Sequence, residues 1–153
     1  MRFYSGVCVL VAVSVGLVAG ACGSSNAGTG SGNDEPKCLA KAADTSCTPL
    51  YEPTFDNVFK NTLSTTCAAP GCHSGSQPTG GMALDEIDKA YTNILATSST
   101  LDPRITPGDV TCGKVLVRLE SKDKTYSMPP PPAELRNGEV CSIIQWIAMG
   151  AKR

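Results

Sequence analysis

Residues 67–73 read Cys67-Ala68-Ala69-Pro70-Gly71-Cys72-His73, and His73 is the only histidine in the chain. Two thiols followed directly by an imidazole suit the covalent attachment of haem c. The thiols add to the haem vinyl groups, and the adjacent imidazole is placed to ligate the iron. The usual spacer between the cysteines is two residues; here it is four. The other reading of the same string is a small disulfide loop, Cys67 to Cys72, with a bystander histidine.

A second chemical element is Tyr126-Ser127-Met128-Pro129-Pro130-Pro131-Pro132. Four consecutive prolines forbid helix and stiffen an extended segment. A stiff segment can hold the Met128 thioether at one place. A thioether is a soft, neutral ligand, and paired with His it raises a haem potential. Met128 also reads as a packing residue under a proline-rich loop, and Met82 and Met149 compete for any ligand role.

Elements that would position these groups are helical. Thr54 to Leu63 places Phe55, Val58, Phe59 and Leu63 on one face, with Thr54 as the cap. Asp85 to Leu95 carries Ile87, Ala90, Tyr91, Ile94 and Leu95 at helical spacing behind Asp85 as N-cap. A short helix from about Gly113 to Glu120 turns Val115, Leu116 and Leu119 inward. The last, from about Asn137 to Met149, has a Val140, Ile143, Ile144 and Ile147 stripe flanked by Trp146, and Gly150 ends it. No alternating strand pattern is present. The intervening Gly/Pro loops, 74–81, 96–111 and 121–133, are long for a compact helical domain unless they wrap something.

The N-terminus has the form of an export signal. Arg2 precedes an apolar run from Val7 to Ala21, which ends in Leu17-Val18-Ala19-Gly20-Ala21-Cys22. This resembles a bacterial lipobox, with Ala19 where Leu is preferred, and predicts lipidation of Cys22. Gly23 to Asp34 has almost nothing to bury and reads as a tether. The expected division is a signal peptide at 1–21, a lipidated Cys with a flexible linker at 22–50, and one folded domain at 51–153. The expected location is the cell envelope, facing the periplasm or the cell surface. Gly23 after the anchor leans toward the outer membrane.

Removing the signal takes Arg2 from the thirteen Lys and Arg, leaving twelve against fourteen Asp and Glu. With no basic stripe, nucleic acid is not an expected partner. Aromatic residues make up 5% of the chain, so the side chains form only a small core and call for a staple or a bound cofactor. Of eight cysteines, Cys8 leaves with the signal and Cys22 takes the lipid. Six remain, an even set suited to an oxidising compartment. Six thiols allow fifteen pairings. The economical choice is a local Cys38–Cys47 bridge and a long-range Cys112–Cys141 bridge.

The order of elements resembles the cytochrome c-like domains of exported bacterial proteins, above all small lipoproteins with a Gly-Cys-His-Ser-Gly junction, here Gly71 to Gly75. Further stretches that resemble this group are Pro53 to Phe59, Ile105-Thr106-Pro107-Gly108-Asp109, Met128-Pro129-Pro130 and the Trp146-Ile147 helix. Together they span about Tyr51 to Arg153. The resemblance implies an all-α, disulfide-stapled cytochrome c-like fold around one haem c. Cys67 and Cys72 would be the thioether anchors, His73 the proximal ligand and Met128 the distal ligand. It would also bring Cys112 and Cys141, at the starts of the last two helices, together.

Two functions follow. One is a membrane-tethered monohaem cytochrome that passes one electron to or from a redox partner protein and converts no substrate. The alternative is a haem-free, disulfide-stapled surface domain with a binding or structural role. Thiol oxidoreductase chemistry would want C-x-x-C at a helix start. Zinc would need about four converging ligands. No phosphate-binding Gly loop, nucleophile elbow or placeable carboxylate pair is present. Lys114, Arg118, Lys122 and Lys124 form either a basic rim near Met128 for an acidic partner or an ordinary solvated face.

Overall fold

A computed structural model of the chain describes residues 35–96 and 103–153. The signal segment, Cys22 and the Gly/Ser-rich tether lie outside the described residues. The architecture is all-α, without a strand ladder among those residues. No helix among them is long and apolar enough to cross a membrane.

Helix α1, Phe55–Val58, starts at Thr54, whose hydroxyl accepts from the Asn57 N–H. It runs directly into a π-helix, Phe59–Cys67, that carries the chain to the first motif cysteine. The sequence predicts a helix from Thr54 to Leu63 without this change of type, and side-chain chemistry explains the widening. Asn61, Ser64 and Thr65 each donate to the carbonyl four residues back, on Asn57, Lys60 and Asn61. Those carbonyls are the ones an α-helix would use, so competition from side chains favours longer backbone bonds. The Ala68 N–H accordingly donates to Leu63, five residues back, at 2.7 Å.

Helix α2 is Ile87–Leu95, with Glu86 rather than Asp85 at its N-cap position and no side-chain cap bond. The Asp85 carboxylate accepts instead from the Gly75 N–H, tying the segment after His73 to the start of α2. Helix α3 is Lys114–Glu120 and α4 is Asn137–Ala148. In the first turn of α4 the buried Glu139 carboxylate accepts from the Arg136 backbone N–H at 2.9 Å and from its guanidinium at 3.0 Å. That closes the helix start.

An aromatic cluster holds these helices together. Phe55, 1% exposed, lies 5.3 Å from the Trp146 ring and packs edge-on to Tyr91 at 4.8 Å. Both polar handles are satisfied: the Trp146 indole N–H donates to the Lys152 carbonyl and the Tyr91 hydroxyl to that of Ala151. Trp146, expected beside the apolar stripe, is 2% exposed and central.

Residues 35–50, expected to belong to the linker, form a strap across the helices. Cys38 is bonded to Cys112 and Cys47 to Cys141. This corrects the expected Cys38–Cys47 and Cys112–Cys141 pairings. The four cysteines are those anticipated, but each strap cysteine pairs with a distant segment. The reason is visible in the backbone. Leu39 and Ala43 N–H groups donate to Thr111 and Val110 carbonyls, which sets Cys38 beside Cys112. The Gln145 amide of α4 donates to the Thr45 and Cys47 carbonyls, which sets Cys47 over α4. The Ser142 hydroxyl completes the attachment against Leu50 and Tyr51.

Candidate functional site: an apolar cavity with sulfur and imidazole donors

The π-helix delivers Cys67 to the edge of a cavity of about 460 Å³. The spacer then turns outward. Pro70 and Gly71 are exposed, and Gly71 takes φ 81°, which suits glycine. The chain folds back so that the Cys72 N–H donates to Ala69 and the His73 N–H to the Cys67 carbonyl at 3.2 Å. The two extra residues are thus spent on an exposed turn, and Cys67, Cys72 and His73 all line the cavity.

The two motif cysteines are not bonded to each other. Cys67 is a free thiol, and Cys72 is disulfide-bonded. The small Cys67–Cys72 loop considered from sequence is therefore not formed. Burial, with a smaller contribution from the Glu139 carboxylate, pushes the Cys67 thiol up to about 11.

His73 is half-buried under the Thr79–Gly81 turn. Its Nδ1 lies 3.0 Å from the Thr79 carbonyl, a contact that only a protonated Nδ1 can make as a hydrogen bond. The Leu84 N–H donates to the His73 carbonyl and fixes the backbone. Burial lowers the pKa of the imidazole, opposed by the carbonyl groups of Thr79 and Met82. The neutral ring that results is the form a metal requires. An Nδ1 occupied by a backbone carbonyl directs ligation to Nε2.

Met128 also lines the cavity, brought there by its N–H donating to the Arg118 carbonyl at the end of α3. Met82 lines it too. Met82 follows the turn that covers His73, two residues before the Leu84–His73 bond, so it belongs to the His73 side. Met149 is 57% exposed and is no part of the site. Val58, Leu63, Leu84, Ile94, Ile143 and Trp146 supply apolar wall.

Of the four basic residues singled out from sequence, Lys114 and Arg118 line the cavity, while Lys122 and Lys124 are exposed on the following loop. Arg118 forms a two-pronged ion pair with Glu35 of the strap, at 2.7 and 2.9 Å. Arg104 was not anticipated, yet it lines the cavity. Its sequence signal was slight, a single basic residue in a loop. Among the described residues, no group of three or more His, Cys, Asp or Glu side chains converges as a metal site.

The donor set and the cavity fit a haem. There is one neutral imidazole, one thioether on a separate element, two sulfurs beside the imidazole and a mainly apolar wall. Thioether formation needs Cys72 as a thiol, so its disulfide must first be reduced. Comparison of the chain with protein-family models, with curated proteins and with solved structures gives no match.

Proposed function

We propose that the protein is a monohaem c-type cytochrome, tethered to a membrane through Cys22 and acting in one-electron transfer with a redox partner protein. The observation that carries this reading is the convergence of Cys67, Cys72, His73 and Met128 on one apolar cavity despite the four-residue spacer. Cys67 and Cys72 would hold the haem covalently, His73 Nε2 would be the proximal ligand and Met128 the distal one. When bound, the haem supplies the one-electron couple. The chain's part is to keep His73 neutral by burial and oriented through Thr79, to hold Met128 against α3, and to exclude water with its apolar wall. The resemblance to cytochrome c-like domains noted in the sequence supports the same assignment.

Two observations favour a second reading, a haem-free stapled domain. Cys72 is disulfide-bonded, and the Phe55–Trp146–Tyr91 cluster gives the helices a core of their own. Expression in a host with cytochrome c maturation separates the two. The first reading expects a red protein whose haem stays with the chain through acid–acetone extraction. A colourless product, or haem that extracts completely, sinks it and leaves the second.

A further inference from the structure

Arg104 is a cation at the edge of an apolar cavity, and among the described residues no carboxylate pairs with it. It is held by carbonyl groups. Nη1 donates to the Asn93 carbonyl, at the end of α2, at 2.6 Å. Nη2 donates to the Gly80 and Gly81 carbonyls at 3.0 and 3.3 Å. These bonds fix the guanidinium plane without neutralising its charge, and Nε–H has no acceptor among the described residues. Burial depresses its pKa, and among the described residues no anion offsets this.

The fold builds this placement. The Val115 N–H donates to the Arg104 carbonyl and the Lys114 N–H to that of Pro103. Gly113 permits the approach: a Cβ there would lie 3.0 Å from the Arg104 carbonyl oxygen, and its φ of 121° suits glycine. Lys114 is thereby set beside Arg104 on the cavity wall. The third lining cation, Arg118, differs because Glu35 already neutralises it.

We propose that Arg104, with Lys114 beside it, is the anion-binding end of the cavity and receives a carboxylate of the bound ligand. The ligand class is a flat apolar body with an acidic edge; for its identity as a porphyrin, the proposal rests on the haem reading above. A guanidinium already pinned by backbone loses little freedom on pairing, so it adds both affinity and a fixed orientation.

The test uses the full-length apo protein and two metal-free probes, protoporphyrin IX and its dimethyl ester, titrated by fluorescence. Neither carries iron, so His73 and Met128 form no metal bond and only the carboxylates differ. The diacid should bind wild type more tightly than the ester, a comparison that needs no variant. Arg104→Gln should weaken the diacid by about tenfold or more and leave the ester unchanged. Arg104→Lys should retain part of the preference, and Lys124→Gln, an exposed charge away from the cavity, should retain all of it. Equal affinity of wild type for the two probes overturns the proposal, as does an Arg104→Gln loss that is the same for both. In either case a covalently red holoprotein would leave the haem reading standing. Binding of neither probe, with a colourless product, overturns both.

Discussion

At the scale of single residues, the site is defined by what each donor is already doing. His73 has Nδ1 engaged by Thr79, leaving Nε2 for a ligand. The two candidate thioethers differ in position, since Met82 belongs to the segment over His73 while Met128 comes from the loop after α3. On the haem reading, Met128 rather than Met82 would be the second ligand. Met128→Ala in the holoprotein is therefore expected to abolish the weak near-infrared sulfur–iron band. It should also lower the potential by an appreciable part of the roughly 0.8 V that axial ligands span. Met82→Ala should keep the band, and the reverse pattern would reassign the ligand. Cys67 gives a prediction for the apo protein. With its pKa raised to about 11 by burial, little thiolate exists at neutral pH. Iodoacetamide at pH 8 should label Cys67 slowly in the folded chain and rapidly in urea. Equal labelling rates would contradict the raised pKa of the Cys67 thiol.

At the scale of elements, the strap at residues 35–50 and the start of α4 hold the wall in place. The Cys38–Cys112 and Cys47–Cys141 bridges span 74 and 94 residues. Each taken singly is worth on the order of 4 kcal/mol in the chain-entropy account. Non-reducing peptide mapping should recover these two linked pairs, and recovery of Cys38 with Cys47 would contradict the strap. Glu139 supplies a pH signature. Arg136 bonding holds its carboxyl below the usual 4.5. A depressed folded-state pKa gives stability that is present above the unfolded value and lost as pH falls through the folded one. Glu139→Gln should cost about 1 kcal/mol at neutral pH, as lost caps do. The gap from wild type should then close as the pH drops below 4.5. Urea midpoints followed from pH 7 down the acid limb check this, and a gap that stays constant as Glu139 is titrated below pH 4.5 would rule out the ionised cap as its source.

At the scale of the whole molecule, two interiors meet at Trp146, which belongs to the aromatic core and also lines the cavity. The oxidised apo protein should accordingly keep near-UV tryptophan dichroism, held by Phe55 and the two staples, and lose much of it when dithiothreitol opens the bridges. Unchanged dichroism after reduction would show that the core needs no staples. Much of this organisation was legible in the chain. Helical spacing located α2, α3 and α4 to within a few residues, because an apolar stripe facing a core is a local property. The Cys-His motif and Met128 were identifiable because their residue types are chemically distinctive. What the chain could not disclose depended on partners distant in sequence. Disulfide pairing follows from backbone bonds such as Leu39 to Thr111, and spacing carries no record of them. The π-helix reflects a competition for carbonyls by Asn61, Ser64 and Thr65 that residue type leaves undecided. Arg104 became part of the site because Gly113 lets two backbone segments touch. The sequence by itself determined which side chains have the chemistry and which segments are helical, since both rest on residue type and near-neighbour spacing. The tertiary structure decided which of those side chains share one cavity, how the cysteines pair and where the Arg104 cation lies, because each depends on contacts that exist only once the chain has closed on itself.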